Sequence, residues 1–378
     1  MASFRTLIGM VAVGALVAVA CGDGGDAGDG GAAPDPFFDE PIDLDPSQPE
    51  LGPNGEPATP VAEIAPLTDA ELAQIRAEAY TAALLWAGAG EWYNALGAGA
   101  SDAFEQLGIE VVATADAQFD PAKQANDVES AMALAPDIVL TLIVDPVSGA
   151  EGFRPVVDSD TVLVLADNGA EGYEAGREYV AVVTGDHYGM GRAAAEVMAE
   201  AVGGEGEIGM VFHDADFFVT NNRDDSFRAT IEQQFPDVTI VDAKGFTEEP
   251  ATFDAASAMI SQHPEIEGIY VAWDVAAEGV VEALRAAGRE DVWVVTHDLG
   301  VNNAVAMARG EIVYATVADL PYQIGQTMAT LAGYGLVGRD APPFVAGELI
   351  TVKQEDLEEA WPQSLHRELP AEVQGALG

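Results

Sequence analysis

The stretch Gln262-His263-Pro264-Glu265-Ile266-Glu267-Gly268-Ile269-Tyr270-Val271-Ala272-Trp273-Asp274 decides the fold class. A proline-containing turn runs into four consecutive apolar residues, Ile269, Tyr270, Val271 and Ala272, and then into Asp274, a residue type suited to cap a helix. A strand that is apolar at every position has no solvent face. It must be covered on both sides, as the strands of parallel sheets are by their crossover helices. Runs of the same character recur at 82–86, 110–114, 138–143, 162–166, 180–184, 208–212, 238–241, 292–296 and 312–317, separated by amphipathic helical patterns. So many units exceed one sheet, and the pattern predicts an α/β protein of two doubly wound, Rossmann-like lobes. Asp120-Pro121 predicts a helix start, with an acidic N-cap and proline at the first helical position. Asp298, like Asp274, follows its strand directly and is expected to cap the next helix.

A chain of 378 residues suits two domains, and 49% hydrophobic residues place most of it among globular sequences. Asp and Glu number 64 against 15 Lys and Arg, so 15 − 64 gives −49. That balance excludes nucleic acid as a partner, because phosphate binding needs a basic patch. It equally opposes docking on an anionic membrane through protein charge. The only lysines are Lys123, Lys244 and Lys353. A surface so dominated by carboxylates suits a salty medium that screens its self-repulsion.

The N-terminus has the layout of an export signal, with Arg5 ahead of an apolar run at 7–20 too short to span a bilayer. The run ends in Ala18-Val19-Ala20-Cys21-Gly22, which resembles a bacterial lipobox with Ala18 at its first position. The resemblance implies a signal peptide over 1–21, cleaved before a lipid-bearing Cys21. Cys21 is also the only cysteine, which leaves no structural disulfide and no CxxC metal or redox motif. The following stretch is rich in Gly, Asp, Pro and Glu, and 22–64 is expected to be a disordered acidic tether.

In doubly wound folds ligands sit beyond the carboxyl ends of the strands, so the loops there are the places to search. Gly88-Ala89-Gly90-Glu91-Trp92-Tyr93 follows the first strand. It lacks the third glycine of a dinucleotide fingerprint, and no cofactor is expected. Trp92 and Tyr93 instead offer aromatic faces to the C–H face of a sugar ring. Other strand-end polar residues are Asp167 and Asn168, Asp186 and His187, His213, Asp214 and Asp216, Trp273 and Asp274, Asp298 and Asp319, with Arg223 close by. A planar guanidinium amid carboxylates binds hydroxyl groups through charge-assisted hydrogen bonds. His213-Asp214-Ala215-Asp216 has no standard metal spacing, and no Gly-x-Ser-x-Gly or HExxH is present. Neither a metal nor catalysis is expected.

The stretch 262–274 and its continuation, Ala277-Glu278-Gly279, Ala283-Leu284, Ala287-Gly288-Arg289 and Val294-Val295-Thr296-His297-Asp298, resemble type I periplasmic sugar-binding proteins. Leu320-Pro321-Tyr322-Gln323-Ile324-Gly325 is similar to the segment of ribose-binding proteins that returns to the first lobe. Phe119-Asp120-Pro121-Ala122-Lys123-Gln124 and Gly185-Asp186 agree in order and spacing. The resemblance implies a hinge of three crossings near 184–186, 319–321 and 344–348. It also implies a first lobe of 65–185 plus 321–346 and a second of 186–320 plus 347–378. Carried over position by position, Arg223 matches the arginine that forks onto sugar hydroxyls, and Asp298 the carboxylate that accepts two of them. Trp92 and Tyr93 match the aromatic pair at the ring. Trp273 and Gly90 replace asparagines, Asp319 replaces a glutamine, and Asp167-Asn168 stands where ribose binders have Asp-Arg. These departures point away from ribose, toward another pentose or hexose, a polyol, or a solute bearing an amine.

The function so implied is capture of a monosaccharide or polyol by lobe closure, without catalysis or cofactor, outside the cytoplasm on a lipid anchor at Cys21. Delivery would be to the membrane permease of an ABC-type importer. The alternative is a sugar sensor that signals to a chemoreceptor or membrane kinase. A repressor of the same fold is opposed by the export signal, and a sugar-cleaving enzyme would need an acid/base carboxylate pair at defined separation.

Overall fold

The structure, a computed structural model, describes residues 42, 44–215 and 217–378. The expected signal peptide, the lipobox at Cys21 and the first part of the tether lie outside the described residues, as does Asp216. The strands of the first sheet are β1 (Thr59–Pro60), β2 (Thr81–Trp86), β3 (Glu110–Asp116), β4 (Ile138–Leu142), β5 (Val162–Ala166), β6 (Val182–Thr184) and, much later in the chain, β12 (Phe344–Ala346). The second sheet takes β7 (Gly206–His213), β8 (Val238–Phe246), β9 (Gly268–Val271), β10 (Trp293–His297), β11 (Val313–Asp319) and β13 (Leu349–Val352).

Their orders are β1-β12-β6-β5-β4-β2-β3 and β13-β11-β10-β9-β7-β8. Every pairing is parallel except that of β13 with β11. Both lobes therefore share one doubly wound plan, with the strand order reversing beside β2 in one sheet and beside β7 in the other. β4 and β9 are buried along their whole length, as uninterrupted apolar runs require. The chain passes between the sheets after β6, after β11, and between β12 and β13.

Glycines set how closely the covering helices approach. A Cβ on Gly99 would lie 2.0 Å from the Tyr322 carbonyl oxygen, and one on Gly325 2.0 Å from that of Leu96. The helices Glu91–Leu107 and Pro321–Val337 thus pack backbone to backbone over the first sheet. In the second lobe Gly191 does the same, since a Cβ there would lie 2.3 Å from the Arg223 carbonyl. That contact seats the helix Phe218–Gln234 against His187–Ala201.

Several expectations need correction. The run at 180–184 becomes strand only from Val182, and the run at 238–241 continues to Phe246. The short strands β1, β12 and β13 have too few residues to show a period. Asp120 caps its helix as expected, accepting from the backbone N–H groups of Ala122 and Lys123. Asp274 and Asp298 do not cap. Trp273 and Gly300 occupy those N-cap positions without side-chain hydrogen bonds.

The largest correction concerns the tether. Residues 44–64 pack on the folded body: β1 pairs with β12, and Glu50 is 1% exposed. Low apolar content did signal a segment without its own core, but neighbours outside the segment supply one.

Candidate functional site

Beyond β2 the chain turns through Gly88 and Gly90 into the helix Glu91–Leu107. A side chain on Gly88 would strike the Phe119 ring, its Cβ 2.5 Å away, and Gly90 has φ 129, where glycine is favoured. The helix start then presents Trp92 and Tyr93, with ring centroids 5.1 Å apart and edge to face. Tyr93 meets Phe119 edge to face at 6.2 Å. Burial, and then the Asp167 charge, raise the Tyr93 pKa, so its hydroxyl stays protonated. Phe119, 59% exposed, was missed as a site residue, although it opens the Phe-Asp-Pro motif used for the family resemblance.

Asp319 ends β11 at the second passage between the sheets and is 2% exposed. It accepts the Trp92 Nε1–H at 2.9 and 3.2 Å, and its Oδ2 lies 3.9 Å from Arg223 Nη2. Burial first, and then the neighbouring Asp298, push its pKa up to about 7. Arg223, 3% exposed, forks onto Asp298 with Nη1–Oδ2 at 2.9 Å and Nη2–Oδ1 at 3.4 Å. Burial works against the arginine's charge, but Asp298 and Asp319 more than offset it, so the guanidinium stays protonated. Asp298 follows β10 with φ 64, and Asp167 follows β5 with φ 54. Both aspartates leave their strands through a left-handed turn, a strained conformation that recurs at functional loops.

His187, one of the strand-end polar residues but not among those carried over as ligand-binding, links these groups. Arg223 Nε donates to His187 Nδ1 at 3.2 Å, which leaves Nε2 to donate to Thr184 Oγ1 at 2.7 Å. The Thr184 hydroxyl in turn donates to Asp167 Oδ1 at 2.7 Å. Burial opposes a charge on His187, while Glu50 and Asp167 favour one and together raise its pKa. A second proton would occupy Nδ1 against Arg223 Nε, so protonation and this contact exclude each other.

Trp92, Tyr93, Asp167, Arg223, Asp298 and Asp319 are thus joined through direct contacts, His187 and Thr184. Asn168 is not part of this network: its amide donates to the Ile143 carbonyl at 2.9 Å and closes the loop after β4. Trp273 belongs to a separate aromatic group, 5.0 Å from His213 and 4.8 Å from Phe246, and its indole donates to Glu249 at 3.3 Å. The following residue, Asp274, comes close to Asp298. Burial and that carboxylate push its pKa up to about 7. Gly300 makes room for it, since a Cβ there would lie 2.3 Å from Asp274 Oδ2. Among the described residues no group of His, Cys, Asp and Glu forms a metal cluster. The network combines one fixed forked donor, several carboxylates and an aromatic wall, the groups that recognise hydroxyls on a compact apolar-faced ring.

Comparisons with known proteins bear on the family and the fold. A family profile described as periplasmic binding protein domain matches residues 82–340. The chain is 24% identical over 254 residues to the ribose import binding protein of Bacillus subtilis strain 168, covering 65% of this chain and 77% of that one. Among solved structures, an ABC transporter solute-binding protein from Agrobacterium vitis bound with α-D-tagatopyranose superposes with TM-score 0.68 at 18% identity. That match covers 77% of this chain and 99% of the other. An arabinose-binding protein from Geobacillus stearothermophilus gives TM-score 0.67 at 20% identity, over 74% and 98% of the two chains.

Proposed function

The chain belongs to the periplasmic binding protein family, and from that premise we propose that it captures a monosaccharide or polyol between its lobes and delivers it to an ABC-type importer. The family is one of exported sugar-binding proteins, not enzymes. The observation that carries the proposal is the fork of Arg223 onto Asp298, flanked by Asp319 and the Trp92 indole where the chain crosses between lobes. Solute hydroxyls would take the places these groups now offer one another, Arg223 donating, Asp298 and Asp319 accepting, and Trp92 and Tyr93 facing the ring. Trp273 and Asn168 would border the cleft. The lobes are 65–185 with 321–346 and 186–320 with 347–378. Contacts made only with both lobes in place favour the closed form. The similar proteins import ribose or were crystallised with tagatopyranose, which supports a sugar-like solute. Export on a signal at 1–21 with a lipid on Cys21 completes the reading.

A thermal-shift screen across pentoses, hexoses, inositols, polyols and amino sugars tests it. A ligand at a hundred times its Kd stabilises by about 2.7 kcal/mol. Arg223→Ala and Asp298→Ala should remove the shift. A screen in which no solute raises the melting temperature sinks the proposal, and retained binding in both variants sinks the assignment of the site.

A further inference from the structure

The segment 44–60 lies outside the matched family domain and grips both lobes. Its first half holds the second lobe. The Leu44 carbonyl accepts from Gln233 Nε2 at 2.9 Å, and the Pro46 carbonyl accepts from Arg192. Its second half holds the first lobe. Gly52 lies against the Phe344 ring of β12, which a Cβ there would approach to 2.8 Å, and Pro53 packs against Gly169. Asn54 donates to Tyr179 Oη at 3.2 Å, and β1 adds a strand to β12.

Between the halves sits Glu50. Its Oε2 accepts the His187 backbone N–H at 2.9 Å and its Oε1 accepts Asn222 Nδ2 at 2.7 Å. The loop behind it is closed by Gly52 N–H to the Glu56 carbonyl at 2.7 Å and Ala58 N–H to the Glu50 carbonyl at 2.9 Å. His187 is the residue whose ring accepts from Arg223, and Asn222 is the residue before Arg223. One buried carboxylate therefore pins both supports of the arginine.

We propose that residues 44–60 form a strap joining the two lobes beside the hinge, and that Glu50 is a positioning residue which holds Arg223 in its binding geometry through His187 and Asn222. A carboxylate at 1% exposure with two protein donors has no water to replace them, so its removal frees both supports together. The strap also adds a fourth connection between lobes that the three crossings already join, so it opposes their opening. The affinity consequence rests on the solute site proposed above, whereas the pinning itself does not.

Full-chain Glu50→Ala, Glu50→Gln and Asn222→Ala separate the two. Amide exchange in the absence of solute, read over 184–192 and 218–226, should quicken by about tenfold in Glu50→Ala. It should return to wild-type rates in Glu50→Gln, whose amide oxygen still accepts from His187 while a flipped Asn222 accepts from its NH2. Affinity for whichever sugar wild type binds should fall about tenfold in Glu50→Ala and recover in Glu50→Gln. Wild-type exchange in Glu50→Ala overturns the strap, and unchanged affinity with quickened exchange overturns the positioning role. If Glu50→Ala does not fold, Asn222→Ala decides, with wild-type exchange over 218–226 again counting against the strap. If wild type binds no sugar, the function proposed above fails and the exchange measurement alone judges the strap.

Discussion

Trp92→Phe keeps an aromatic ring but deletes the indole N–H that Asp319 accepts at 2.9 and 3.2 Å. Asp319 is 2% exposed, so water does not take the donor's place. A hydrogen bond to a charged group contributes about 1.5–3 kcal/mol and one to a neutral group about 0.5–1.5 kcal/mol. Which applies depends on Asp319, whose pKa burial pushes to about 7. At pH 8 the carboxylate accepts, and at pH 5.5 the neutral acid does. The variant should therefore lose about 1 kcal/mol more at pH 8 than at pH 5.5, beyond a pH-independent loss from the smaller ring. In a chain this long that is an extra drop in melting temperature of about 2 °C. Melts of wild type, Trp92→Phe, Asp319→Asn and the double variant at both pH values form a cycle. In the Asp319→Asn background the pH-dependent part should vanish. An equal penalty at the two pH values, or one that persists without the carboxylate, refutes the pairing.

Two further expectations follow from the same contacts. An Asp319 pKa raised from 3.8 to about 7 means that the native state holds a proton the unfolded chain has released. The stability tied to it is therefore lost as pH rises toward 7. Asp319→Asn, which has no proton to lose, should gain on wild type by roughly 2 kcal/mol between pH 5.5 and pH 7. A pH-independent gap in denaturant melts contradicts the shift. Gly191→Ala drives a methyl to 2.3 Å from the Arg223 carbonyl, where backbone cannot yield, and should cost about 1–3 kcal/mol despite alanine's better helix propensity. Because that contact seats Arg223, sugar affinity should fall with it, and a wild-type melt and affinity would show that the helices separate freely.

The sequence was most legible where local chemistry suffices. Asp120-Pro121 starts its helix because side chain and backbone lie two and three residues apart. Ile269 to Ala272 are buried because nothing in that run tolerates water. Boundaries and caps were less legible: Asp274 and Asp298 have the right chemistry for N-caps, but Asp274 falls one residue inside its helix, and Asp298 lies two residues before the N-cap Gly300 with its carboxylate held by Arg223. Residues 44–64 were misread because their burial comes from β12, Tyr179 and the helices of the second lobe, none nearby in sequence.

By itself, then, the sequence determined the doubly wound class, the family and a pool of strand-end polar residues, since apolar runs and turns record burial and backbone direction residue by residue. Only the tertiary structure decided which members of that pool meet. Several aspartates are chemically equal on paper; Asp298 and Asp319 reach Arg223 because Gly191 lets two helices close on each other and because β10 and β11 end side by side. Asn168 was drawn off by the Ile143 carbonyl and Trp273 by His213 and Phe246. His187, already in that pool, became its link and Glu50 entered from outside it, because distance, not composition, decides which partners a buried polar group finds.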